Sequence, residues 1–327
     1  MKKSEIKEEQ PYAYQIIEGT KQQIPCEFII GKNYELSFNI GTYDSQKPLI
    51  IDPRLIFATF SGETDDNWGF TATYDEQGNM YTGGVIFPGH SGSGGLNSVF
   101  PTNLLINKYS PDGTQRIYRY ESKGEGSEVP ISMIVNSRNE LLIYGVTSSK
   151  EDFLVTPDAY ATQFSGGDSI PPPQTNSINL EGGTDIFIIK LDSNGFLENA
   201  TYFGGSGNEG VMVEPDTLNP LLFNYADEFR GEIFIDNEDN VLIASNTTSN
   251  DLPVVNGIQD SLRGPSDALI ARFSPDLSEL LNSTYFGGGG YEAAFAVRQD
   301  LEGIIYLVGG TNSDSISSNS INDLNGD

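Results

Sequence analysis

The chain has 327 residues, among them 36 Gly, 17 Pro, 16 Tyr and 18 Phe, a composition suited to β-strands joined by many tight turns. Its 18 Lys and Arg stand against 46 Asp and Glu, a formal net charge of −28 that would repel a phosphate backbone or an anionic bilayer, so nucleic acid is excluded as a partner. Apolar residues nowhere recur at helical spacing over a long window, and no apolar run approaches the length of a membrane span, so helix should be scarce and direct membrane insertion is not expected.

In chain order, residues 1–53 read as a short β region. Strands are expected over 12–18, 26–30, 34–40 and 49–51, separated by Gly19, the Gly31-Lys32-Asn33 turn and the 44–47 turn, with Pro48 and Pro53 marking chain entry points. Cys26 is the only cysteine, which rules out an intrachain disulfide and leaves it as a small apolar strand residue. The opening Met1-Lys-Lys-Ser-Glu-Ile is charged and carries no export signal. Strand-like sequence from residue 12 and a polar stop soon after Thr311 are what truncation at both ends would leave.

Residues 54–327 repeat themselves. Residues 185–205 (DIFIIKLDSNGFLENATYFGG) and 267–288 (DALIARFSPDLSELLNSTYFGG) place Asp185, Lys190, Thr201, Tyr202, Phe203, Gly204 and Gly205 against Asp267, Arg272, Thr284, Tyr285, Phe286, Gly287 and Gly288. Each copy is two apolar runs around a polar turn, the pattern of a hairpin. Fainter copies lie at 107–120 and 57–62. A second recurring half, an apolar strand introduced by a turn, appears at 78–84, 139–149, 240–249 and 303–313, ending in Thr147-Ser148-Ser149, Thr247-Thr248-Ser249 and Thr311-Asn312-Ser313. Units of about four strands that cannot bury their faces alone must stack on their neighbours, the logic of a β-propeller blade. The expected fold class is all-β: an incomplete propeller of about four blade-like units after a short β region.

These residues resemble a known family. The order D-x-F-x-x-K-x-[DS]-x-x-G, then S-T-Y-[LF]-G-G, then D-x-x-G-N-x-Y-[VL]-x-G-x-T-x-S is similar to the SBBP-type (seven-bladed) β-propeller repeat of large secreted bacterial proteins, most closely in the segments ending at Gly205 and Gly288 and in the Gly145–Ser149 and Gly309–Ser313 endings. The stretch from Tyr43-Asp44 through Asn67-Trp68-Gly69 to Tyr74-Asp75 is similar to the N-terminal region and first blade of such proteins in Bacteroidetes. The resemblance implies a cell-surface or secreted protein of a Gram-negative bacterium, associated with type IX secretion, and a link to gliding motility or attachment. It covers most of the chain after about residue 40.

The long loops over 88–95, 165–183 and 204–229 are where a propeller would carry specificity. Trp68, the only tryptophan, follows Asp65-Asp66-Asn67 and is the expected recognition platform, with Asp65 and Asp66 beside it. No cofactor is required, calcium being the one candidate metal: Asp192 with Asn194, and Asp236 with Asp239, space oxygen ligands as hard-cation loops do, although β-turns call for the same residues. The last such run, 323–327, completes no EF-hand pattern. His90, the only histidine, has no companion for a metal site or a serine triad. Phe60, Tyr120, Tyr202 and Tyr285 fall at equivalent places and are expected in the core between blades.

The expected function is a non-enzymatic scaffold or adhesion module that binds carbohydrate or protein through its loops. The alternative is a carbohydrate-active enzyme, a glycoside hydrolase or lyase, drawing on acids such as Asp65, Asp66, Glu121, Glu125, Glu128, Glu209 and Glu214. Sequence spacing alone singles out no catalytic pair.

Overall fold

A computed structural model describes residues 11–31, 36–52, 58–91, 100–153, 155–171, 178–212 and 228–316. The chain divides into two compact units, Met1–Thr59 and Phe60–Asp327. Among the described residues every regular element is a strand.

In the first unit, β1 (Tyr12–Ile17) pairs antiparallel with both β2 (Thr20–Ile24) and β5 (Ile50–Asp52), while β3 (Cys26–Ile30) and β4 (Leu36–Ile40) form a separate hairpin. The β2 strand, Thr-Lys-Gln-Gln-Ile, was not expected: only Ile24 is buried, so the segment has no apolar alternation to reveal it. Ala13, Ile24 and Cys26 are the buried centre, and Cys26 packs there as an apolar residue. Buried Gln15 clasps the 44–48 loop, its Nε2 donating to the carbonyl of Asp44 (2.8 Å) and its Oε1 accepting from the Asp44 amide (2.8 Å). The expected Lys32-Asn33 turn and Pro53 lie outside the described residues.

The second unit is a series of antiparallel meanders. Sheet one runs β6 (Asn67–Tyr74), β7 (Met80–Ile86), β8 (Asn103–Tyr109), β9 (Arg116–Glu121). Sheet two runs β10 (Glu128–Val135), β11 (Leu141–Thr147), β12 (Asp185–Leu191), β13 (Leu197–Phe203). Sheet three runs β14 (Glu232–Ile235), β15 (Val241–Thr247), β16 (Asp267–Phe273), β17 (Leu280–Phe286). The fourth member is the two-stranded pair β18 (Glu292–Gln299) and β19 (Ile305–Thr311), so four full units are not present among the described residues, and none of the sheets closes on itself.

The period-2 alternation of the second strands explains why the sheets pack in series. In β11, Leu141 and Ile143 join Tyr81, Leu104 and Ile106 of sheet one, while Leu142 and Tyr144 join Ile233, Val241 and Ile243 of sheet three. In β15 the same alternation sends Leu242 and Ala244 to Ala294 and Val297 of β18. Each fully buried large side chain here contributes about 1.5–3 kcal/mol over its exposed state. Tyr202 and Tyr285 are both buried, and their hydroxyls donate to equivalent carbonyls, those of Ser149 (3.0 Å) and Ser249 (2.9 Å). Phe60 breaks the expected pattern: it is 94% exposed and is no part of the core.

One bulge recurs. The first strand slips register between Gly69 and Thr71, between Pro130 and Ser132, and between Ala294 and Ala296. The facing residue is glycine each time, because a Cβ on Gly84, Gly145 or Gly309 would stand 2.0, 2.2 or 2.1 Å from a backbone carbonyl oxygen of that bulge. The outer edges of β13 and β17 are covered by the chain itself: Thr156 donates to the Ala200 carbonyl (3.1 Å), Tyr202 to Ala161 (3.1 Å), Val255 to Ser283 (3.2 Å) and Tyr285 to Gln259 (3.3 Å).

Candidate functional site

The sequence-derived recognition residues gather at one corner of sheet one. Asp65 Oδ2 accepts the Gly89 amide (2.7 Å), Asp66 donates its amide to the His90 carbonyl (2.8 Å), and the Phe87 amide donates to the Asp66 carbonyl (2.9 Å), so the pair fastens the 87–90 turn. Trp68 is half-buried, its ring edge-on to Phe87 at 5.0 Å between centroids. His90 stacks on Phe100 at 3.5 Å.

The four metal candidates fall in two different turns. Asp192 Oδ1 accepts the amides of Asn194 (2.9 Å) and Phe196 (2.8 Å) in the β12–β13 turn, and the Phe196 amide foremost holds this carboxyl below its ordinary pKa. Asp236 Oδ1 accepts the amides of Glu238 (2.8 Å) and Asn240 (2.9 Å) in the β14–β15 turn. Its Oδ2 accepts Arg272 Nε (2.6 Å), and Asp239 lies in the left-handed region (φ 66°) with Arg138 3.5 Å from its carboxylate. Among the described residues, no group of three or more His, Cys, Asp or Glu is placed to hold a metal ion.

A different carboxylate set recurs with the repeats. Three segments share the order G-x-G-x-E: Gly124 to Glu128, Gly205 to Glu209 and Gly288 to Glu292. In each, the glutamate reaches the Thr-x-Ser that ends its own second strand. Glu128 Oε1 accepts Thr147 Oγ1 (3.4 Å) and Ser149 Oγ; Glu209 Oε1 accepts Thr247 Oγ1 (2.6 Å) and Ser249 Oγ; Glu292 Oε1 accepts Thr311 Oγ1 (2.6 Å) and Ser313 Oγ (2.6 Å). The second oxygen turns to the preceding sheet, accepting Ser122 Oγ (2.8 Å), the Gly205 amide (3.1 Å) and the Gly288 amide (2.7 Å) respectively. Their own amides donate to Thr102, Thr184 and Ser266 carbonyls at 2.8, 3.0 and 2.8 Å, so each glutamate stitches one repeat to the one before. Glu128 and Glu209 are wholly buried, and burial pushes their carboxyls up to about 7 and about 8 against the hydroxyl hydrogen bonds.

An aspartate stands beside each of the later two. A Cβ on Gly204 would fall 2.4 Å from Glu209 Oε2 and 2.7 Å from Asp185 Oδ1, and one on Gly287 would fall 2.6 Å from both Glu292 Oε2 and Asp267 Oδ1. Only glycine leaves room for such a pair. Asp185 accepts the amides of Ser165 (2.6 Å) and Gly166 (3.0 Å), yet burial still raises it to about 6. The repeat of the glutamates was the missed signal: Glu128 and Glu209 stood among several undifferentiated acids, and Glu292 among none.

A cleft of about 370 Å³ opens next to one of these pairs. It is lined by Tyr160, Gln163, Ser165, Tyr202, Gly204 and Pro253, among others, with Ser165 and Gly204 as its shared wall with Asp185 and Glu209. Tyr160 is anchored against Phe273, edge-on at 5.8 Å, and Gln163 is exposed at the rim. The remaining acids are held elsewhere: Glu121 pairs with Arg119 (2.7 Å), and Glu125 Oε1 accepts the amides of Lys150 (2.7 Å) and Glu151 (2.8 Å). Glu214 and the 323–327 run lie outside the described residues.

The fold and this seam define an all-β chain of repeated, face-packed antiparallel meanders. Residues 1–54 match the model of a family described as a domain of unknown function, DUF7948. Comparison with curated proteins gives no match.

Proposed function

We propose that residues 54–327 form part of a β-propeller of the SBBP-repeat kind, and that it acts as a non-enzymatic binding scaffold of a secreted or cell-surface bacterial protein, with carbohydrate as the ligand. The observation that carries the scaffold reading is the fate of the conserved-by-repeat glutamates: Glu128, Glu209 and Glu292 are bonded on both oxygens inside the seams, where they hold sheets together instead of facing a substrate. The Tyr160 and Gln163 cleft supplies what a sugar site needs, an aromatic wall with amide and hydroxyl groups at its rim. Attachment or gliding at the surface of a Gram-negative bacterium exporting through the type IX route is the setting that suits such a module.

The enzymatic alternative has one observation in its favour, the Asp185 and Glu209 pair behind the cleft wall with both carboxyls raised by burial. Recurrence weighs against it, because the Asp267 and Glu292 pair repeats the arrangement around Gly287. A glycan array followed by calorimetry on the strongest hit tests the proposal. Gln163→Ala should weaken binding at least tenfold with an unchanged melting temperature. A blank array, or cleavage of an oligosaccharide abolished by Glu209→Gln, would overturn it.

A further inference from the structure

The loops that lead from the second strand to the third in sheets two and three run the same course along the edges of β13 and β17. In sheet two, Ala161 donates its amide to Thr201 Oγ1 (3.0 Å), its carbonyl accepts the Tyr202 amide (3.1 Å), and further along the loop Ser165 and Gly166 donate to Asp185. In sheet three, Gln259 donates its amide to Thr284 Oγ1 (3.0 Å), its carbonyl accepts the Tyr285 amide (3.3 Å), and at the same spacing Arg263 and Gly264 donate to Asp267. Ala161 and Gln259 therefore hold equivalent places.

The buried Gln259 side chain spends its carboxamide inside its own sheet: Nε2 donates to Asp267 Oδ2 (2.6 Å) and Oε1 accepts the Gly287 amide (3.0 Å), so one planar amide bridges the carboxylate and the glycine N–H. Ala161 ends at its Cβ and bridges nothing. The Gly204 amide, the counterpart of Gly287, has no acceptor among the described residues, and Asp185 keeps its two backbone donors without the third. Burial raises Asp185 against Ser165 and Gly166 alone, whereas Gln259 is among the groups that oppose the rise at Asp267. The cleft opens at this same place, with Ala161, Ser165, Tyr202 and Gly204 in its lining between Tyr160 and Pro253.

We propose that this slot takes the acetamido group of an N-acetylated amino sugar, whose carbonyl accepts the Gly204 N–H and whose own N–H turns to Asp185, as the two ends of the Gln259 carboxamide do in sheet three. The inference rests on the carbohydrate reading of the cleft and narrows it to one class of sugar. The acetamido methyl takes the room left by the short side chain of Ala161, and the pyranose ring lies against Tyr160. Like the glutamine, a secondary amide carries one acceptor and one donor on a planar unit; a hydroxyl offers a single oxygen for both bonds and lacks that span. Asp185 is as buried as Asp267, which puts a bond to it out of reach of competing water.

The test is calorimetric titration of the full chain with tri-N-acetylchitotriose and with cellotriose, which carries hydroxyls in place of the acetamido groups. The acetylated trimer should bind more tightly by about tenfold. Ala161→Gln, which restores the side chain of sheet three, should lower its binding to the cellotriose level and leave the melting temperature at or above that of the parent chain. The comparison of trimers needs no variant and decides alone if Ala161→Gln does not fold. Equal affinity for the two trimers, or undiminished binding to a folded Ala161→Gln chain, would overturn the inference and leave the carbohydrate reading standing. Failure of both trimers while other glycans bind would do the same, whereas their failure together with a blank glycan array would remove both. Tighter binding of a glutamine tripeptide than of the acetylated trimer would overturn it by making a peptide the ligand.

Discussion

Glu209 is the group whose removal says most about how the repeats are held together. Its carboxyl is wholly buried and pushed up to about 8 by burial, against an ordinary value of 4.5, so the folded chain holds a proton there that the unfolded chain releases. A raised folded pKa makes the stabilisation complete below about pH 4.5 and progressively lost as pH rises towards 8. Integrated from pH 5 to pH 8, this single group destabilises the native state by about 3 kcal/mol. Glu209→Gln keeps the shape and stays neutral: its Oε1 can accept the Gly205 amide, and its amide nitrogen can donate to the Thr247 and Ser249 hydroxyls, which rotate to accept. Urea unfolding followed by far-ultraviolet circular dichroism at both pH values gives the readout. The variant should stay within about 1 kcal/mol of the native chain at pH 5 and exceed it by about 2–3 kcal/mol at pH 8. Glu209→Ala, which strips an acceptor from three buried donors, should lose roughly 3–5 kcal/mol at pH 5. If Glu209→Gln declines with pH as steeply as the parent chain, the buried proton is not where this reasoning puts it.

Glycine substitutions should separate sharply by position. Gly204→Ala drives a Cβ to 2.4 Å from Glu209 Oε2 and should cost more than about 3 kcal/mol, while Gly289→Ala meets nothing within 4 Å and should be neutral in thermal melts. Tyr285→Phe removes a hydroxyl that donates to the Ser249 carbonyl (2.9 Å) and accepts the Leu252 amide (2.9 Å), so chemical denaturation should show a loss of about 1–3 kcal/mol. Because Asp192 and Asp236 already accept turn amides, millimolar calcium should leave the melting temperature unchanged; a rise of several degrees would show that those turns bind the ion.

The hairpins were legible because their chemistry is local. The first apolar run of residues 185–205 is β12, Asp185–Leu191, and the Thr-x-Ser segments that close β11, β15 and β19 are plain in the sequence. The first strand of each sheet was harder, since β10 (Glu-Val-Pro-Ile-Ser-Met-Ile-Val) and β18 (Glu-Ala-Ala-Phe-Ala-Val-Arg-Gln) share little beyond the leading glutamate. In sheet three even that marker is displaced: Glu209 forms an isolated bridge to Thr247, and β14 begins only at Glu232. The seam was thus hidden by a variable insertion, not by weak chemistry. Phe60 misled for the opposite reason, its local match to Tyr202 holding in sequence while its burial does not.

Glu128, Glu209 and Glu292 follow one another at intervals of 81 and 83 residues, and each finds its Thr-x-Ser hydroxyl donors downstream of itself. A gene segment copied from one such residue to just short of the next therefore carries its own fastening. Adding or deleting whole segments in that frame leaves every remaining acid with its Thr-x-Ser donors, whereas a breakpoint between glutamate and Thr-x-Ser would strand a buried carboxyl group. Tandem length can drift during evolution, or be set by an engineer, without redesigning a single joint.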